Sequence, residues 1–199
     1  MSKKPTITRA PSVARYEYRV WGEHPRARKL LEQLASTVSE ERVKDCYLLA
    51  GDGSWNAKVR NNRLKVKQLI AEDRGFERWS ADRPRSAGDA PQPFDVLFEQ
   101  LRLDRPQRGK SYDLYDAVDR LEADPDTKVV FVVKQRKRYT VGRLRAEATD
   151  IEIVETSEVM HTLAIEGEDL DDLVALRKKL GLSDQPNLAV HTAIALTGD

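Results

Sequence analysis

Between Asn56 and Gln68 the chain reads NAKVRNNRLKVKQ, a spacing of cations that suits the capture of a multiply charged anion. Asn61-Asn62 tolerates the left-handed backbone of a two-residue turn, so the flanks predict a β-hairpin. In that register Arg60 opposes Arg63, Lys58 opposes Lys65 and Asn56 opposes Lys67. Strand side chains alternate, so Lys58, Arg60, Arg63, Lys65 and Lys67 share one face. Ala57, Val59, Leu64 and Val66 share the other, the core side. Like charges directly opposite one another destabilise a ladder. Cations kept together in this way call for an anion to offset the repulsion.

The same theme returns in the second half. Lys134, Arg136 and Arg138 alternate along KQRKRY, and Arg143, Arg145 and Glu147 along RLRAEAT. Thr162, Ala164 and Glu166 then share a face, as do Arg15, Glu17 and Arg19 near the start of the chain. At least four strands therefore carry a charged face opposite an apolar one. In an open antiparallel sheet the charged side meets water. In a sheet closed on itself the charged sides line an interior. Periodicity satisfies both arrangements.

Positioning these faces requires several strands and few helices. Residues 15–21 alternate cleanly, and residues 26–35 place Ala27, Leu30, Leu31 and Leu34 at helical spacing. Residues 42–50 predict a strand ending at the Gly51-Asp52-Gly53 turn, and a further strand is expected around 75–80. The segment 82–93, rich in proline, arginine and small residues, marks a loop and the best internal break. Two short helices are expected next, one carrying Phe94, Leu97, Phe98 and Leu101, the other Leu114, Tyr115, Val118 and Leu121. Strands return over 128–166. A helix over 170–180 has Asp171 and Asp172 in its first turn, Arg177, Lys178 and Lys179 in its last, and Gly181 after it.

Composition bounds the function classes. With 199 residues the chain is long enough for one domain with a sizeable core, here expected over 15–199 behind a flexible lead at 1–14. A formal charge of +1 argues against a general nucleic-acid binder, whose affinity scales with the phosphates it neutralises. The single cysteine, Cys46, excludes a disulfide framework and suits a cytoplasmic protein. No apolar run reaches the length of a membrane span, and the first residues lack the apolar core of a secretory signal.

The order of these elements resembles the CYTH family, the triphosphate tunnel metalloenzymes, over nearly the whole chain. The family's opening ExExK strand is matched by Arg15-Tyr16-Glu17-Tyr18-Arg19, with the first glutamate missing and lysine replaced by arginine. Its RxR strand resembles Lys58-Val59-Arg60, its lysine strand Lys65-Val66-Lys67, and its KxR strand Lys134-Gln135-Arg136 followed by Tyr139. Its closing FxEIE resembles Thr162-Leu163-Ala164-Ile165-Glu166, with one glutamate of two kept, and Leu180-Gly181-Leu182 then Pro186-Asn187 fits the family's close.

The resemblance implies an α+β fold: a closed or nearly closed antiparallel β-barrel of triphosphate-tunnel type with flanking helices. It also implies a divalent-metal-dependent triphosphatase acting on thiamine triphosphate, inorganic triphosphate or a nucleotide. In that reading Arg19, Lys58, Arg60, Arg63, Lys65, Lys67, Lys134, Arg136, Arg138, Arg143 and Arg145 bind phosphates. Glu17 and Glu166 are the catalytic pair and hold Mg²⁺ or Mn²⁺, with Glu147 contributing from a neighbouring strand, or Glu77 or Glu152. Phosphoryl transfer asks mainly for positioning and charge stabilisation, arginine offers a planar fork to phosphate, and hard cations want carboxylate oxygens.

The missing acids at Arg15 and Ala164 leave a second class open, a non-catalytic nucleotide or polyphosphate binder with a degenerate metal site. A nucleotidyl cyclase and a nucleic-acid-binding sheet complete the set of readings. His24, His161 and His191 form no nucleophile or metal constellation; His161 falls on the apolar face of its strand, which predicts a packed core histidine. Tyr16, Tyr18, Trp21, Trp55 and Trp79 read as barrel packing, and Cys46 as a small core residue.

Overall fold

The computed structural model describes residues 13–50, 53–61, 63–80, 118–119 and 121–197. The strands are β1 (Arg15–Trp21), β2 (Thr37–Ala50), β3 (Trp55–Arg60), β4 (Arg63–Asp73), β5 (Phe76–Trp79), β6 (Thr127–Val141), β7 (Leu144–Ile153) and β8 (Val159–Gly167). The helices are α1 (Pro25–Leu34), α2 (Leu170–Lys179) and α3 (Val190–Leu196). The strands close into one antiparallel barrel in the order β1-β5-β4-β3-β2-β6-β7-β8. Closure removes the exposed edges that an open sheet would offer to other chains. No described helix is long and apolar enough to cross a membrane.

Local sequence accounts for most of these elements. Asn61 takes the left-handed backbone (φ 51°) that a two-residue turn requires, and the hairpin register is the expected one: Arg60 opposite Arg63, Lys58 opposite Lys65, Asn56 opposite Lys67. Asp169 caps α2, its carboxylate accepting from the backbone N–H of Asp171 (2.9 Å) and Asp172 (3.0 Å). Acids in the first turn and bases in the last suit the helix dipole. Strand β2 begins at Thr37, five residues before the expected start, because it pairs with β6 along its whole length. The 82–93 segment and the helix expected around Phe94–Leu101 lie outside the described residues. The other expected helix is described at 118–119 and 121–122, with Leu121 fully buried.

The barrel is inverted relative to an oily β-core. Tyr18, Val20, Leu163, Ile165, Ala146 and Ala148 point outward and pack beneath Ala27 and Leu31 of α1 and Leu170, Leu173 and Leu176 of α2. On another side Cys46, Leu48 and Ala57, with Val59, Leu64 and Val66, pack around Leu121. The apolar side of the basic hairpin is thus a core side, but it lies outside the barrel. Burial pushes the Cys46 thiol up to about 11, which fits a packing residue.

Two features were not anticipated. His161 is half-exposed and pairs its Nδ1 with Asp150 Oδ1 at 2.9 Å, instead of packing in a core. Its strand neighbours Leu163 and Ile165 lie under the helices, whereas His161 falls beyond their cover. The second feature is α3. Its Val190 and Ile194 pack with Tyr47, Leu49, Val130, Val132, Ile151 and Ile153, beside Trp21 and Met160. These are inward positions at the ends of β1, β2 and β7 and the starts of β6 and β8. One end of the interior is therefore apolar and filled by the C-terminal helix.

Candidate functional site: a charged barrel interior

Closure turns the alternating charges inward. The registers place Glu17 opposite Glu166, Arg19 opposite Ala164, Glu147 opposite Ala164 and Arg138, and Tyr47 opposite Lys58. Residues two apart along each strand share the same face, so Lys58, Arg60, Lys65, Lys67, Lys134, Arg136, Arg138 and Arg145 all belong to the inner surface. Burial grades along it. Lys134 and Arg19 are buried, Lys58, Arg60 and Arg136 are nearly so, and Arg63, Arg138, Arg143 and Arg145 are exposed.

The deepest group is organised by a residue the sequence reading missed. Asp45, 2 % exposed, accepts from Arg60 through Nε and Nη2, both at 2.5 Å, in a bidentate pair. Lys134 Nζ lies 3.4 Å and Lys58 Nζ 4.0 Å from Asp45 Oδ2. The Tyr47 hydroxyl accepts from Lys134 Nζ at 2.6 Å and from Lys58 Nζ at 3.4 Å. Burial alone would raise the Asp45 carboxyl, but Arg60, Lys134 and Lys58 hold it down at about 2. Asp45 is the acid in the second half of β2, followed by Cys46, Tyr47, Leu48 and Leu49, and that placement was the available signal.

The lysines show the opposite strain. Burial lowers Lys134 to about 8, with Asp45 only partly compensating. Burial also drives Lys58 well below the ordinary lysine value, and the nearby Lys134 cation adds to the effect. The acids on hand thus leave these ammonium groups short of negative charge.

A second group lies nearer the start of β1 and the end of β6. Arg19, 7 % exposed, donates to Glu17 Oε1 from Nε (3.2 Å) and Nη2 (3.1 Å) and to Thr162 Oγ1 from Nη1 (3.4 Å). Its Nη2 is also 3.7 Å from Glu147 Oε1. Arg136 donates to Glu147 through Nε (2.9 Å) and Nη2, and through Nη1 to Glu41 at 2.6 Å. Thr149 donates to Glu147 Oε1 at 2.7 Å. Burial opposes ionisation of Glu147 and of Glu17, but the arginines outweigh it and hold both carboxyls below their usual range. Glu41, Thr149 and Thr162 were not among the expected site residues.

The open rim carries Arg15, Arg143, Arg145 and Glu166 around a cavity of about 430 Å³ that also touches Leu144 and residues 167–169. Glu166 pairs with Arg15 at 3.5 Å and Arg145 at 3.6 Å. Glu152, on the outer face of β7, is exposed and turned away from the interior.

The carboxylates are of the type a divalent cation takes. Glu77, Glu17 and Glu166 even stand in one row across β5, β1 and β8. Their heads diverge, however. Glu77 accepts from the Trp79 indole at 3.2 Å, Glu17 is held by Arg19, and Glu166 is drawn to the rim by Arg15 and Arg145. Among the described residues no three His, Cys, Asp or Glu side chains gather as a ligand set. As arranged, the donors do not fit a resident metal ion.

Glu77 yields a stability prediction. Burial, with Glu17 adding repulsion, raises its carboxyl to about 7 despite the indole donor. A carboxyl whose folded value lies above its unfolded value costs stability as pH rises between about 4.5 and 7. Glu77→Gln is therefore expected to raise Tm by about 2–4 °C at pH 8 and to change it little at pH 4. Differential scanning calorimetry at the two pH values checks this, and an equal shift at both would contradict it.

No protein-family model and no curated protein sequence matches the chain. Several solved structures do. A Bacillus halodurans protein provisionally assigned as an adenylate cyclase is 11 % identical, with a TM-score of 0.52 over 96 % of this chain and 100 % of that one. A conserved hypothetical protein from Pyrococcus furiosus is 16 % identical, with a TM-score of 0.52 over 89 % and 99 % of the two chains. A Pyrococcus horikoshii protein is 16 % identical, with a TM-score of 0.50 over 89 % and 98 %. At such identities the likeness is one of fold, and it extends over nearly the full length of each partner.

Proposed function

We propose, from a barrel with the triphosphate-tunnel fold, that this chain binds a short phosphate-rich anion of the triphosphate class inside the barrel. The observation that carries this reading is the convergence of Lys58, Arg60, Lys134 and Arg136 on one buried interior whose lysines are short of negative charge. Lys134 to Arg138 spans four residues, about 13 Å of strand. Such a ladder suits a chain of phosphates better than a single one. Because α3 fills one end, the anion enters past Arg15, Arg143 and Arg145 at the other. Lys58 and Lys134 offer point charges to phosphate oxygens, while Arg60 and Arg136, already forked onto Asp45 and Glu147, add positive potential around them.

Hydrolysis of the bound anion is the second reading. Glu77, Glu17 and Glu166 stand in one row along the backbone, and Mg²⁺ or Mn²⁺ entering as part of the phosphate substrate would have to draw their diverging heads together. Metal-dependent phosphate release that is lost in Glu166→Ala would establish it.

The binding test is thermal stability and calorimetry with inorganic triphosphate, thiamine triphosphate and ATP, each with and without Mg²⁺ or Mn²⁺. A ligand that prefers the folded state raises Tm with its concentration. Lys134→Met is expected to weaken binding at least tenfold. Affinity is also expected to fall as pH rises through about 8, where Lys134 loses its proton. The unliganded protein should behave oppositely. A lysine held below its unfolded value penalises the folded state below pH 8 and ceases to do so as pH approaches 10.5. Absence of any response to the three polyphosphates, with salt-sensitive binding to oligonucleotides, would sink the proposal.

A further inference from the structure

Glu17, Glu147 and Glu166 are each matched to an arginine, and the most buried of these arginines stands between two of them. Arg19 reaches Glu17 Oε1 at 3.1 Å and Glu147 Oε1 at 3.7 Å with the same Nη2, while Nη1 lies 3.4 Å from Thr162 Oγ1. A divalent ion bridging Glu17 and Glu147 would need oxygens at about 2.0–2.6 Å. It would therefore have to enter the space that the guanidinium fills and sit against a fixed positive charge. The backbone holds Arg19 firmly: its N–H donates to Asn187 Oδ1 at 2.7 Å and its carbonyl accepts from the Leu188 N–H at 3.0 Å.

We propose that Arg19 is the resident cation of this barrel: its guanidinium occupies the place between Glu17 and Glu147 that a divalent metal would take, so the unliganded protein holds no such ion, and removing that side chain creates a metal site. The inference goes beyond the anion reading and does not depend on it, since no phosphate need be present. Thr162 and Thr149, both already turned to this spot, would supply further oxygens once the arginine is gone. Glu77 and Glu166 are the other carboxylates facing it, and each keeps its own donor. Lys67 is a further cation acting on Glu17.

The test is titration of the full chain with Mn²⁺, following the electron paramagnetic resonance signal of the free aqua ion. Wild type is expected to leave Mn²⁺ in solution at concentrations where Arg19→Ala binds one equivalent, a difference of at least tenfold in affinity. Adding Glu147→Gln to Arg19→Ala should abolish the gain. One equivalent bound by wild type and lost in Glu17→Gln or Glu77→Gln would overturn the proposal. So would an Arg19→Ala protein, shown folded by circular dichroism, that binds no more Mn²⁺ than wild type. Arg19→Gln, which keeps more of the packing, gives the same comparison should the alanine variant fold poorly.

Discussion

Replacing Asp45 with alanine is expected to cost the barrel about 3–5 kcal/mol, because it strands three buried cations at once. Arg60 loses both acceptor oxygens of its bidentate pair, and Lys134 and Lys58 lose the carboxylate placed against them at 3.4 and 4.0 Å. At about 2–4 °C per kcal/mol for a chain of this size, Tm should fall by about 6–20 °C. The effect also has a pH signature. Asp45, Glu17 and Glu147 all ionise below their unfolded values, so their stabilisation is present above about pH 4 and is lost as pH falls toward 2. Asp45→Ala should lose part of that acid sensitivity. Added triphosphate should stabilise the variant more than wild type, since the cations then have only the ligand to neutralise them. A Tm within about 2 °C of wild type at pH 7 would show that Asp45 is not the counter-ion of this group.

Ending the chain before Asn187 is expected to abolish cooperative folding. The segment from Asn187 to Leu196 does two jobs. Asn187 and Leu188 satisfy Arg19 along the part of β1 that β5 does not reach, and the Leu188 carbonyl accepts from the Trp21 indole at 2.9 Å. Val190 and Ile194 then fill the apolar end, while His191 bonds the Gly53 carbonyl through Nε2 at 2.8 Å and meets the Trp79 ring edge-on. Burying two such side chains is worth about 1.5–3 kcal/mol each, and each hydrogen bond about 1 kcal/mol. Together these approach the whole stability of an ordinary domain, about 5–15 kcal/mol. The milder Ile194→Ala should cost about 2–5 kcal/mol and leave a folded protein. Urea unfolding of both variants checks the pair; a truncated chain melting within a few degrees of wild type would refute the plugging role.

Much of the site was legible in the chain because strand alternation is a local property. The hairpin register at Arg60–Arg63, the inner set Lys58, Lys65 and Lys67, and the repeat at Lys134, Arg136 and Arg138 all follow from a period of two. The caps of α2 were equally local. The seven-residue α3 was not, since it has no side-chain cap and no charge bias at either end to announce it. His161 went astray for a related reason. Its face follows from strand alternation, but how far α1 and α2 extend over that face depends on their packing.

The sequence by itself thus determined which side chains travel together: cations on one face of each strand, apolar residues on the other, with acids thinned out at Arg15 and Ala164. Only the tertiary structure decided that the charged face is the inside, because closure depends on pairing β8 back onto β1 across most of the chain. It alone matched Asp45 to Lys134 and Arg19 to Glu147. Those pairings join strands far apart in sequence. Their distances are set by the shear of the closed barrel, which no local pattern encodes.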